Sequence, residues 1–182
     1  NNSFDGPVVV TGAGGCIAAW VLTILHRSHI PCLAVDLTDN KNRLELLLGN
    51  ETNKIDWNVC DITHLEKLSK IITSFKPSAI IHLAGLQVPF CAENPSLGAR
   101  VNVEGTINIL EIAKKANIKR TVYASSVAAL GLPPNGPWKE TLYGAYKLAN
   151  EHTAFVYWSD WQVPSIGTVS YTHLTLPTTR CV

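Results

Sequence analysis

No methionine occurs anywhere in the 182 residues, position 1 included, and the expectation is that the chain does not begin at its natural start. Charge is scarce as well: 16% of residues are charged, against about 25% in ordinary soluble domains. Fifteen Lys and Arg nearly cancel 14 Asp and Glu, and a net charge of +1 leaves no electrostatic footprint for DNA, RNA or an anionic membrane. Long apolar runs are missing too. The longest, Cys16 to Leu25, is broken by Thr23 and too short to span a bilayer. The first residues, Asn1 to Gly6, carry Asp5 and no basic residue, which excludes a signal peptide. The five cysteines (Cys16, Cys32, Cys60, Cys91, Cys181) form no CxxC pair, and the six histidines no HxxxH or HExxH pattern, so no metal site is expected. An odd number of thiols, most of them inside apolar runs, reads as buried and reduced, which places the chain in the cytoplasm.

What is present suits one globular domain. A 46% hydrophobic content excludes disorder, and a chain of this size can remove roughly 70% of its unfolded surface from water. Strand-like and helix-like segments alternate. Pro7–Thr11 is a short β-branched run, and Gly12 to Gly15 breaks it. Cys16–Ser28 follows as a helix with apolar residues at Ile17, Trp20, Val21, Ile24 and Leu25. Pro31–Asp36 is a second buried strand, followed by a short helix near Asn42–Leu48 and a strand over Lys54–Cys60. Thr63–Phe75 is amphipathic, with Leu65, Leu68, Ile71 and Ile72 on one face, and Lys76-Pro77 ends it. Strand Ala79–Leu83 precedes a long helix from Pro95 or Ser96 to about Asn117, with Val101, Ile109, Leu110 and Ile112 inward. Arg120–Ala124, Tyr143–Ser159 and Pro164–Gly167 complete the series as strand, helix and strand. Such alternation predicts an α/β fold: a doubly wound parallel sheet with helices on both faces. The irregular stretch Val127–Thr141 is of a length that suggests a functional or a disordered loop.

Three places carry chemistry. In the first turn the register Gly12-x-x-Gly15-x-x-Ala18 permits a tight strand-to-helix turn. There a pyrophosphate can approach the amides of Gly12, Gly15, Cys16 and Ile17 at the helix N-terminus. Asp36, at the end of the second strand, suits the adenosine ribose hydroxyls and repels a 2′-phosphate, which favours NAD over NADP. A strand-end cap is the plainer role for that carboxylate, and Lys41 and Arg43 keep NADP open. Tyr143 and Lys147, at i and i+4, share a helix face, where a cation lowers a phenol's pKa from about 10 toward a usable acid/base. Tyr146 lacks such a lysine and reads as a packing aromatic. Ser125-Ser126 falls at the C-terminal end of a strand, where parallel sheets bind ligands, although a serine pair also serves as a turn or cap.

In order, the chain shows TGxxGxxA, Asp36, Cys60-Asp61-Ile62, His82-Leu-Ala-Gly85, Val101-Asn102-Val-Glu-Gly-Thr106, Tyr123-Ala-Ser-Ser126 and Tyr143-Gly-Ala-Tyr-Lys147. From about Pro7 to Gly167 it thereby resembles the NAD-dependent epimerase/dehydratase family of extended short-chain dehydrogenases/reductases, and a Rossmann fold is implied. The resemblance implies that Asp61 and Ile62 flank the adenine and that Leu83, Ala84 and Gly85 line the cofactor. It makes Ser126, Tyr143 and Lys147 catalytic, with Lys147 also binding the nicotinamide ribose, and gives Asn102 a supporting role in the active site. A nucleotide-sugar or sugar acid is the implied substrate class, and the implied chemistry is acid/base catalysis with hydride transfer. A homodimer through Ser96–Asn117 and Tyr143–Ser159 is the implied assembly. The competing reading is a non-catalytic NAD(H)-binding sensor, against which the intact Ser–Tyr–Lys set counts.

Two departures from the family pattern stand out. Ala129-Leu130-Gly131 replaces a Val-Tyr-Gly, removing a substrate-side tyrosine. After Gly167 the family's continuation is missing, and Thr168–Val182, with Pro177 and five threonines, resembles translated adapter sequence. The expectation is therefore an NAD-binding domain over 1–167, then a non-native tail over 168–182. That tail is extended or irregular, His173 has no catalytic part, the substrate-binding portion is absent and the fragment is inactive.

Overall fold

Four consecutive β-branched residues form β1 (Val8–Thr11), and all four are buried, as a strand covered on both faces requires. A computed structural model describes residues 6–130 and 140–169 and the backbone of 179–181. In it β1 joins β2 (Cys32–Asp36), β3 (Asp56–Val59), β4 (Ala79–His82), β5 (Thr121–Ala124), β6 (Ser165–Thr168) and β7 (Thr179–Cys181). The sheet order is β3-β2-β1-β4-β5-β6-β7. β1 to β6 are parallel, and β7 runs antiparallel along β6 with Ile166 opposite Cys181. The strand order reverses between β1 and β4, which opens a crevice at their C-terminal ends.

The helices are α1 (Cys16–Arg27), α2 (Asn42–Leu48), α3 (Leu65–Phe75), α4 (Val88–Glu93), α5 (Pro95–Ala99), α6 (Gly105–Lys115) and α7 (Leu142–Trp161). Strand periodicity divides the core in two. Val8, Val10 and Ala34 pack under Ala18, Leu22 and Leu44 of α1 and α2. Val9, Leu33 and Ile80 pack under Leu68 of α3, Ile109 of α6 and Ala154 of α7. The result is the expected three-layer, doubly wound arrangement.

Four details differ from the sequence reading. On α1 three of the large apolar residues face away from the sheet: Ile17 and Trp20 are each 53% exposed and Ile24 61%. The buried face is Ala18, Ala19, Leu22 and Thr23. Small side chains bring the helix close to the sheet, and Thr23 is accommodated by donating its hydroxyl to the Ala19 carbonyl at 2.7 Å. Second, Lys54 belongs to a 3₁₀ turn, Gly49–Lys54, and the strand after it begins at Asp56. Third, α4 was not expected; six residues with a proline in the first turn offer too little periodicity to read.

The fourth difference lies in the long helix before β5. It contains one wide turn with π-helical bonding at Arg100–Glu104, between α5 and α6. The Asn102 carbonyl within it accepts from the Thr106 hydroxyl at 2.8 Å and from Asn150 Nδ2 at 2.9 Å. Competing side-chain donors of this kind favour such a bulge.

Of the stretch Val127–Thr141, Val127–Leu130 is a single 3₁₀ turn, while 131–139 lie outside the described residues. So do 170–178, His173 among them, and residue 182. Cys32, Cys60 and Cys91 are buried thiols as expected, but Cys16 is exposed at the start of α1. No described helix is long and apolar enough to cross a membrane.

Candidate active site

The glycine turn is built for close approach. Gly12 has φ +70°, which L side chains rarely adopt, and a Cβ there would sit 2.5 Å from the Ala84 backbone nitrogen. Ala84 therefore packs behind the turn. Gly15 caps α1 without any side-chain hydrogen bond, and the first turn carries no acidic residue. Its amides are the orphan donors of a helix N-terminus, which suit a phosphate group. Gly14 is held at both ends: its N–H donates to Asp36 Oδ2 at 2.9 Å, and its carbonyl accepts from Arg43 Nη1 at 2.8 Å. Asp36 Oδ1 also accepts from the Thr38 amide at 3.3 Å. A carboxylate has about four acceptor positions, so room remains for ribose hydroxyls. Arg43 is thus a turn-holding residue that sequence reasoning missed, and Lys41 lies over the Trp57 ring at 5.5 Å. Both cations that kept NADP open are engaged within the protein.

A cleft of about 610 Å³ runs from this turn to the start of α7. Its walls bring together Gly12, Gly15, Cys16, Ile17, Leu83, Gly85, Ser126, Tyr143 and Lys147 of the expected residues. Ala18, Leu86, Gln87, Ala124, Ser125, Val127, Thr168 and Val169 complete the lining. Asp36, Asp61, Ile62, Ala84 and Asn102 lie outside it. Asp61 Oδ1 accepts from the Thr63 amide at 2.9 Å, a local turn. Ile62 is buried against Gly105, and its carbonyl accepts from Asn108 Nδ2 at 2.9 Å.

At the far end, α7 is capped by Thr141, whose hydroxyl accepts from the Gly144 amide at 3.0 Å. A Cβ on Gly144 would lie 2.5 Å from the Ala128 carbonyl oxygen, so this glycine lets the helix start flush against the turn after β5. Tyr143 and Lys147 then share a face, with Nζ 5.5 Å from the Tyr143 ring centroid. Lys147 is only 5% exposed, and its ammonium donates to the Ala124 carbonyl at 2.7 Å. Burial pulls its pKa down to about 8. The Tyr143 phenol departs from expectation: burial pushes it above its ordinary value, the Ser126 hydroxyl pulls it back, and Cys91 adds to the rise. The neighbouring ammonium is turned toward a carbonyl, so it does not bring the phenol toward neutrality here.

The serine pair divides clearly. Ser125 donates its hydroxyl to Glu151 Oε1 at 2.5 Å. Ser126 Oγ accepts from the Ala128 amide at 3.2 Å, leaving its proton for another acceptor. Tyr146 donates to the Pro95 carbonyl at 2.8 Å and packs on Gly98, the structural role expected of it.

Asn102 works from behind the wall. Its Oδ1 accepts from the Leu86 amide and its Nδ2 donates to the Leu86 carbonyl, both at 3.1 Å, and Nδ2 also reaches Cys91 Sγ at 3.3 Å. His82 extends the chain. Thr106 gives its proton to the Asn102 carbonyl, so His82 Nε2–H donates to Thr106 at 3.1 Å and Nδ1 accepts from Thr11 at 2.7 Å. Burial holds this imidazole neutral, its pKa lowered to about 3. The residues present fit a dinucleotide: uncapped amides at one end, a carboxylate beside the turn, and a buried ammonium at the other end.

The profile of the NAD dependent epimerase/dehydratase family matches residues 8–177. The chain belongs to that family. NAD is the cofactor this membership assigns to it, and the match begins at β1 and includes every residue of the cleft. A rice protein (Oryza sativa subsp. japonica) named UDP-glucose 4-epimerase 2 is 30% identical over 157 residues, 79% of this chain and 38% of its own length. UDP-glucose 4-epimerase from Mycolicibacterium smegmatis is 29% identical over 152 residues, covering 79% and 48%. Among solved structures, L-threonine dehydrogenase from Clostridium difficile superposes with a TM-score of 0.76 at 25% identity, covering 92% of this chain and 53% of that one. UDP-glucose 4-epimerase from Thermus thermophilus, solved with NAD, gives 0.75 at 22%, covering 88% and 53%, and speaks for the fold. The chain spans about half or less of these relatives' length.

Proposed function

We propose that the chain holds NAD in this cleft and forms the acid/base part of an epimerase or dehydrogenase acting on a nucleotide-sugar. The observation that carries the reading is the meeting of Ser126, Tyr143 and Lys147 in one cleft with the uncapped N-terminus of α1. When bound, NAD supplies the hydride acceptor and donor. The α1 amides bind its phosphates, and Asp36 accepts from ribose hydroxyls. Tyr143 takes or gives a proton at its phenolic oxygen. Lys147, with a pKa of about 8, remains mostly an ammonium at neutral pH and lies in the wall of the cleft, where it holds the nicotinamide ribose. Ser126 donates its hydroxyl to the substrate oxygen whose charge changes. The nucleotide-sugar class rests on the relatives named UDP-glucose 4-epimerase. A binding-only sensor has no use for a serine, a tyrosine and a buried lysine meeting in this way.

Because the rice relative is more than twice as long, turnover of UDP-glucose is followed in a chain carrying that remaining length, and binding in this one. Tyr143→Phe is expected to lower turnover by about 10²–10⁴ with NADH affinity retained. Turnover that survives Tyr143→Phe, or falls further in Tyr146→Phe, would contradict the assignment.

A further inference from the structure

Two consecutive residues at the end of β5 are gripped from two sides. The Ala124 carbonyl accepts from Lys147, the Ser125 amide donates to the Thr168 carbonyl at 2.8 Å, and the Ser125 hydroxyl donates to Glu151. Lys147 and Glu151 are one turn apart on α7, in line with Tyr143 one turn earlier. The helix that carries the phenol therefore holds, through two other side chains, the strand end that carries Ser126. Ser125 is buried and Glu151 partly so, and a hydroxyl-to-carboxylate bond in such surroundings is among the stronger hydrogen bonds. Without it, one of the two side-chain ties from α7 to this strand end is lost, and the tie that remains, from Lys147, reaches only Ala124, one residue further from Ser126.

We propose that Glu151 is a positioning residue: by holding Ser125 it keeps the Ser126 hydroxyl against Tyr143. This rests on the assignment of Ser126 and Tyr143 above. It also explains why the first serine of the pair cannot replace the second, since its proton is already given to Glu151. Tyr123, on the same strand, adds a neighbouring constraint. Its hydroxyl is buried without a partner among the described residues and, through burial and the Glu151 charge, stays protonated with a pKa of about 12.

The test uses the 182-residue chain labelled with ¹³C at the tyrosine Cζ. The Tyr143 resonance is identified by its loss in Tyr143→Phe, and Ser126→Ala gives its position once the serine contact is gone. Glu151→Leu is expected to move the Tyr143 resonance at least half of the way to the Ser126→Ala position. Glu151→Gln, whose amide oxygen still accepts from Ser125, is expected to leave it in place. If Glu151→Leu does not fold, Ser125→Ala removes the same bond and is expected to give the same shift. A folded Glu151→Leu or Ser125→Ala with the wild-type resonance would overturn the proposal, as would Glu151→Gln moving it as far as Leu. A Tyr143 resonance indifferent to Ser126→Ala would instead overturn the pairing of Ser126 with Tyr143 on which it rests.

Discussion

Lys147 combines deep burial with a positive charge, and its only hydrogen-bond acceptor among the described residues is a backbone carbonyl. Its pKa of about 8 has a consequence for stability. Below pH 8 the folded and unfolded states both hold the proton. Between about pH 8 and the ordinary lysine value of 10.5 the unfolded chain keeps a proton that the folded one has lost, so stability rises with pH across that window. In denaturant unfolding the stability of wild type relative to Lys147→Met is expected to rise across that window, the difference removing the opposite contribution of the raised Cys32 thiol that both proteins share. At Asp36 the expected effect is on binding. Asp36→Ala should weaken NAD by about 1.5–3 kcal/mol, the range for a hydrogen bond to a charged group, and calorimetry reads it. The Tyr143–Lys147 pair was legible because i,i+4 spacing fixes a shared helix face. The difference between Ser125 and Ser126 was not, because it is made by Glu151, 26 residues away. Nor was Arg43 legible as a clamp on Gly14, a contact across 29 residues.

Among the elements, β1 and β2 were readable from continuous apolar runs, since burial on both faces leaves no alternation to confuse. The orientation of α1 was not. Apolar residues occupy most of its circumference, so periodicity alone does not choose the face: Ala18, Ala19 and Leu22 go under the helix, while Ile17, Trp20 and Ile24 point outward. Leu22→Ala is expected to cost about 2–5 kcal/mol in denaturant unfolding, as core truncations do. Ile24→Ser, on the exposed side, is expected to cost about 0.5 kcal/mol or less. Equal costs would mean the helix is turned. Gly144→Ala tests the seat of α7, because its Cβ would be 2.5 Å from the Ala128 oxygen. A destabilisation of about 1–3 kcal/mol is expected for such overpacking.

Across the whole molecule, the buried chain Thr11–His82–Thr106–Asn102 links the glycine turn to the wall beside Lys147. Lys114, near the end of α6, is paired to Glu111 at 3.2 Å and stacked 3.9 Å from the Trp161 ring centroid, which ties α6 to α7. The proposed function makes the cofactor what joins the parts into one site, and a fluorescence titration with NADH tests this most directly. Wild type is expected to bind saturably at one site and to prefer NADH to NADPH, with affinity lowered in Asp36→Ala and Lys147→Ala and unchanged in Tyr146→Phe. Absence of saturable binding, or NADPH bound as tightly as NADH, would contradict it.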